Sequence, residues 1–132
     1  MLQAPILRFD TLDSTNNCAA QMIDADKAQP GLTIIAKQQT AGKGQRGKIW
    51  QDSSEQSLLM SIILQPQKPI DELFDFSASI AVALAELIHS LDKSLEVRIK
   101  FPNDIIVNDK KAAGILIENQ IRGNTWSHAI VG

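Results

Sequence analysis

Two hydrophobic periods alternate along the chain. Ile6 to Phe9 is a short apolar run, and Asp13-Ser14-Thr15-Asn16 behind it offers N-cap side chains to a helix through Ala19, Ala20, Met22 and Ile23. After the Pro30-Gly31 break, Leu32 to Ala36 and Leu58 to Leu64 are apolar runs of strand length, so the polar stretch between them predicts a loop joining two buried strands. From Asp71 to Leu91 the period changes. Leu73, Phe76, Ile80, Leu84, Leu87 and Leu91 recur three or four apart, which predicts a long helix laying a core stripe on a sheet. Leu95, Val97 and Ile99 then alternate with charged residues, and Pro102-Asn103-Asp104 turns into a strand, Ile105 to Val107. Asn108-Asp109 reads as a tight hairpin turn, Ala112 to Glu118 as the returning strand, and Arg122-Gly123-Asn124 as the turn before a last strand, Trp126 to Val131. This order implies an α+β domain with helices packed on one face of a mixed, largely antiparallel sheet.

Composition narrows the classes. With 132 residues, 44% of them apolar, the chain is read as one small domain, 1–132. A net charge of −2 argues against a general nucleic-acid binder, so no DNA partner is expected. The single Cys18 excludes an internal disulfide framework, and with two histidines it makes no zinc site, so it reads as a small core filler. His89 and His128 receive no catalytic role. There is no signal-peptide pattern, and the longest apolar stretch, Ile80 to Ile88, contains Glu86 and is too short to span a bilayer; a cytoplasmic location without a membrane partner is the expectation.

Against that mildly acidic background, residues 37–50, KQQTAGKGQRGKIW, stand out. They hold three of the seven glycines and four cationic side chains, with no acidic one. Glycines let backbone N–H groups turn inward together, and Lys43, Arg46 and Lys48 supply charge, so the segment reads either as an anion cradle or as a mobile solvated loop. Gly42, Gly44 and Gly47 satisfy G-x-G-x-x-G, yet KIWQDSSEQS follows, with no apolar stripe for the helix that a dinucleotide fold opens there. Gly42 to Lys48 also fits G-x-x-x-x-G-K, but Ile49 stands where a P-loop needs a hydroxyl. Both phosphate motifs fail.

Four separated motifs, DSTN at 13–16, QTAGKGQRGKIW at 39–50, KFPND at 100–104 and KKAAGILIE at 110–118, occur in the order and spacing of one family. Together they resemble the catalytic domain of the biotin protein ligases, from about Phe9 to Gly132. The resemblance implies the fold of biotin and lipoate ligases, related to class II aminoacyl-tRNA synthetases. It also implies a reaction in which biotin and ATP give biotinyl-AMP and pyrophosphate, after which a lysine of a carboxylase carrier domain accepts the biotinyl group. Biotin, ATP and magnesium are the small molecules implied.

By the same resemblance, Ser14, Thr15, Asn16 and Gln39 lie around the biotin ring system, where short polar groups satisfy a ureido group otherwise costly to bury. For 13–16 the plain alternative is a helix cap. Gly42, Lys43, Gly44 and Gln45 complete the biotin side, while Lys43, Arg46, Lys48, Trp50, Lys100 and Asn103 are assigned to ATP, with Trp50 packing on adenine. Asp104 is the weak candidate for magnesium, and Lys100 with Asn103 could equally be a turn beside a solvated lysine. Lys111, with Arg46, is assigned catalysis, as a point charge between the biotin carboxylate and the α-phosphate.

The chain departs from the family pattern where Lys43 and Gln45 replace arginines, where Phe101 replaces a tryptophan, and where Glu55 and Ser57 replace a glycine and an asparagine. Gln45 is expected to weaken retention of the adenylate, because an amide lacks the charged fork of arginine. The resemblance also leads one to expect a catalytic domain incomplete at its C-terminus, without an N-terminal helix-turn-helix or a C-terminal β-barrel. The last strand should then leave an unpaired edge and favour a homodimer. Two other functions remain open: a non-catalytic protein that binds biotin or an adenylate or depends on a partner, and lipoate or octanoyl transfer on the same fold.

Overall fold

The computed structural model describes residues 4–53 and 55–132; residues 1–3 of the expected domain and Ser54 lie outside it. Its elements run β1 (Ile6–Leu12), α1 (Thr15–Asp24), β2 (Thr33–Gln39), β3 (Leu59–Leu64), α2 (Leu73–Leu91), β4 (Val97–Lys100), β5 (Asp104–Val107), β6 (Lys110–Gly114), β7 (Ile117–Arg122) and β8 (Thr125–Val131). Among the described residues the chain divides into two compact units, one up to Gln67 together with Leu116–Gly132, the other Lys68–Ile115.

The first unit is a five-stranded sheet in the order β1-β2-β3-β8-β7. β1 and β2 run parallel, as a strand–helix–strand crossover through α1 requires, and the remaining neighbours are antiparallel. α1 begins at Ser14, whose extended backbone and side-chain oxygen, accepting from the Asn17 N–H at 3.3 Å, form an N-cap. Its inner face places Cys18, Ala19 and Ile23 against Leu32, Ile34, Ile63 and Ile130. Each fully buried isoleucine stabilises this layer by about 1.5–3 kcal/mol. Burial pushes the Cys18 thiol above its ordinary pKa, with Asp13 adding to the effect, as suits a packing residue.

The second unit is a three-stranded antiparallel sheet, β4-β5-β6, with α2 packed on β4 and β5. Asn108 and Asp109 both take positive φ, 48° and 65°, in the two-residue turn that joins β5 to β6. The α+β class and the antiparallel-rich pairing hold, but the strands form two sheets, each with its own helix.

Four expectations change. The returning strand expected over Ala112 to Glu118 is two strands, β6 and β7, which belong to different sheets because the chain leaves the second unit at Ile115. The α2 stripe is core only in part: Ala81 is the buried residue of the helix, while Leu87 and Leu91 are 56% and 77% exposed. A helix of that length extends about 28 Å, and strands of four or five residues cover only about 13–17 Å of it. The membrane argument from Ile80–Ile88 also falls, because the continuous helical run Ile70–Leu91 has 22 residues and contains an 18-residue window with a mean hydropathy of 1.4. The helix packs on β4 and β5, with 6% of that window buried. Finally, β8 is an interior strand, paired with β3 and β7, with Trp126 and Ile130 buried. The last strand therefore offers no unpaired edge for a homodimer; among the described residues β1 and β7 are the edges of this sheet.

Candidate functional site

The DSTN motif places three buried polar residues, Ser14, Thr15 and Asn16, at the start of α1. Such groups need partners, and they find them across the sheet. Gln39, at the end of β2, accepts through Oε1 from the Thr15 N–H at 2.8 Å and lies 3.1 Å from its hydroxyl. Ser61 of β3, fully buried, sits 2.6 Å from Asn16 Oδ1 and 2.7 Å from Thr15 Oγ1. Its one proton serves Asn16 Oδ1, which can only accept, so the Thr15 hydroxyl donates to Ser61 or Gln39. Asn16 Nδ2 donates to Glu118 Oε2 at 2.8 Å. Each of these side chains is thereby held in one orientation.

The glycine loop begins directly after Gln39. Its arms close as a small hairpin: the Trp50 N–H donates to the Gly42 carbonyl at 2.9 Å, and the Gly44 N–H to the Lys48 carbonyl at 2.7 Å. A Cβ on Gly42 would lie 2.9 Å from the Trp50 carbonyl oxygen, so this close approach requires glycine. At the tip Arg46 takes φ 54° and Gly47 φ 74°, a left-handed pair that turns the cationic segment back on itself. The loop from Thr40 to Ile49, with Leu116 and Glu118, encloses an open recess of about 510 Å³, onto which Gly42, Lys43, Gly44, Arg46 and Lys48 all face. Gln45 belongs to the same turn.

Lys43 ties the loop to the polar cluster. Its Nζ is 2.8 Å from Glu118 Oε1 and 2.9 Å from Asn17 Oδ1, and Asn17 Nδ2 donates to Asp13 Oδ2 at 2.8 Å. That hydrogen bond from Asn17, followed by one from the Ser14 backbone, holds the Asp13 carboxyl below the ordinary carboxylate range. The network Asp13–Asn17–Lys43–Glu118–Asn16–Ser61–Thr15–Gln39 is continuous. It can hydrogen-bond a small polar ligand from fixed donors and acceptors and present cations to an anionic tail.

The first unit thus brings together Thr15, Asn16, Gln39 and the loop residues. The Ser14 hydroxyl oxygen accepts the cap hydrogen bond, and Trp50 is half-buried at the base of the loop. The other candidates belong to the second unit. Lys100 and Asp104 pair across β4 and β5, and Lys111 Nζ on β6 lies 3.0 Å from Asp104 Oδ1. Asn103 donates through Nδ2 to the Ile115 carbonyl at 2.7 Å and receives the Ile115 N–H on its own carbonyl, so it anchors the turn.

Sequence reasoning overlooked Ser61, Asn17 and Glu118. Ser61 did carry a signal, as the one hydroxyl at an inward position of LMSIIL. Glu118 ends the motif KKAAGILIE, but its role depends on β7 pairing with β8 and so being carried to the start of α1.

Residues 8–132 match the biotin/lipoate A/B protein ligase family. Among curated relatives, the bifunctional ligase/repressor BirA of Bacillus subtilis is 32% identical over 96% of this chain and 38% of its own length. The biotin–[acetyl-CoA-carboxylase] ligase of Paracoccus denitrificans is 32% identical over 91% of this chain and 49% of its own. The chain therefore spans between about a third and a half of these relatives. Among solved structures, the Aquifex aeolicus biotin protein ligase in complex with biotin and ATP superposes with a TM-score of 0.77 at 22% identity, over 98% of this chain and 52% of that one. The Leishmania major biotin protein ligase in complex with biotin gives 0.74 at 25% identity, over 96% and 55%. With its motifs in family order and its fold shared with these enzymes, the chain belongs to the biotin/lipoate A/B protein ligase family.

Proposed function

We propose that this chain carries the ATP-dependent chemistry of a biotin protein ligase. The observation that supports it most is the meeting, in one compact unit, of a buried, oriented polar cluster (Thr15, Asn16, Gln39, Ser61) with a cationic glycine loop. The cluster suits the ureido ring of biotin, which needs both donors and acceptors, and Lys43 suits the carboxylate at the end of its aliphatic tail. The biotin carboxylate oxygen attacks the α-phosphorus of ATP, the bond from that phosphorus to the pyrophosphate oxygen breaks, and biotinyl-AMP and pyrophosphate form. An uncharged lysine amine of a carboxylase carrier domain then attacks the acyl carbon; AMP leaves, the nitrogen gives up a proton, and an amide results.

Anion must meet anion in the first step, so preorganised cations and N–H donors are what the protein has to supply. Arg46, Lys43 and Lys48 take the phosphates on the loop side, and Trp50 the adenine. By their motifs alone, Lys111 is assigned the developing charge at the α-phosphorus, and Lys100 and Asn103 the nucleotide. Magnesium would find one carboxylate ligand in Asp104, and with the ATP phosphates it would supply charge neutralisation at the phosphoryl oxygens; among the described residues no group of three or more ligating side chains occurs.

The test is calorimetry with biotin, with and without ATP, followed by mass analysis for biotinyl-adenylate and transfer to a carrier domain. Biotin binding and an adenylate mass are expected. Failure to bind biotin removes the reading; binding without adenylate favours a non-catalytic biotin-binding protein; adenylation of lipoate in preference to biotin favours the lipoate branch of the family.

A further inference from the structure

The recess holds a carboxylate that the proposed chemistry does not call for. Glu118 lines it from β7, beside Lys43, and Arg46 lines the same recess. Negative charge at this place repels a ligand carboxylate or phosphate. Its two oxygens are divided between two groups assigned to the ligand: Oε1 lies 2.8 Å from Lys43 Nζ, and Oε2 accepts from Asn16 Nδ2 at 2.8 Å. Lys43 has a further acceptor in Asn17 Oδ1, so the protein itself already supplies this ammonium with a charge and a hydrogen-bond partner.

We infer that Glu118 is a positioning residue, the internal counterion of Lys43, from which the carboxylate of an incoming ligand takes the lysine over, while its second oxygen keeps Asn16 aligned. This deepens the biotin reading above and rests on it. The exchange makes binding sensitive to ligand charge. An anionic ligand competes with Glu118 for Lys43, whereas a neutral ligand with the same ring system does not. Lys43 and Glu118 are 36% and 37% exposed, so solvent screens the pair and the effect is moderate.

The experiment is calorimetry of the parent chain, Glu118→Gln, and the double variant Glu118→Gln/Lys43→Gln, each with biotin and with biotin amide. Glutamine keeps an acceptor oxygen for Asn16 and replaces the charged oxygen that faces Lys43 by an amide NH2, so the lysine loses its internal counterion. Glu118→Gln is expected to bind biotin roughly threefold tighter, the scale of a half-exposed ion pair, with biotin amide unchanged. That gain in charge selectivity should vanish in the double variant. Equal weakening of both ligands would reduce Glu118 to a packing role, and an unchanged ratio would overturn the exchange; either result leaves biotin binding by the parent standing. A parent that binds neither ligand overturns the biotin reading and this inference together. Should Glu118→Gln lose its cooperative melt, the parent still decides: the ¹³C signal of the Glu118 carboxyl should move with biotin and not with biotin amide, and an identical response to both defeats the proposal.

Discussion

A buried hydroxyl between two polar side chains is the most exposed point of the site to mutation. Ser61→Ala leaves Asn16 Oδ1 without its donor in a place where Ser61 itself has no solvent contact. Such an orphaned group costs about 1–3 kcal/mol, which urea unfolding would measure, and biotin affinity should fall with it as Asn16 loses its orientation. A variant as stable as the parent would mean that Asn16 does not depend on Ser61. Lys111 is the opposite case, an exposed strand residue whose Nζ lies against Asp104. Lys111→Ala should leave the fold intact and lower the rate of adenylate formation by on the order of 10² or more, the usual effect of removing a preorganised charge from a developing oxyanion. Equal pyrophosphate release by the two proteins would remove Lys111 from catalysis. Thr15, Asn16, Gln39 and Lys43 were legible as residues because their motifs are local. Ser61 showed only as a hydroxyl among apolar residues and Glu118 only as the end of a motif, because nothing in their own segments says which strand faces α1.

At the scale of elements, β8 carries a titration. Burial, with Arg122 adding to it, holds the His128 imidazole below its ordinary pKa; Nε2 lies 3.1 Å from Gln65 Nε2 and Nδ1 is buried without a hydrogen-bond partner. Below a pH of about 6.5 the unfolded chain takes up a proton at this histidine that the folded chain refuses until its own lower pKa is reached. The unfolded state therefore binds more protons in that window, and stability falls as pH drops from the ordinary imidazole value to the depressed one. His128→Gln should flatten this part of the stability profile, measured by urea unfolding between pH 7 and pH 5. An unchanged slope would place the acid sensitivity elsewhere. The elements themselves were mostly readable: a cap, a helix, apolar runs and turn residues fix local structure. How far α2 would be covered was not, since a stripe of apolar residues states a preference for burial and the length of the neighbouring strands decides how much is met.

For the molecule as a whole, ligand linkage is the measure of whether the native chain holds the site. Biotin at about one hundred times its Kd should add ~2.7 kcal/mol to the unfolding free energy and raise Tm, because only the folded first unit brings α1, β2, β3 and β7 to one place. A Tm that ignores biotin would defeat the assignment of the polar cluster. The sequence by itself determined the succession of elements up to β5, the hairpin at Asn108-Asp109, the cationic loop between two strands and, through four motifs in order, the family, while the run expected as one strand over Ala112 to Glu118 divides into β6 and β7. Tertiary structure alone decided that β8 inserts between β3 and β7, that the strands part into two sheets, and that Glu118 meets Lys43 and Asn16. The physical reason is that alternation and helical period are local signals. They say which face of a segment turns inward, whereas the partner of a strand is chosen by packing among residues far apart in the chain.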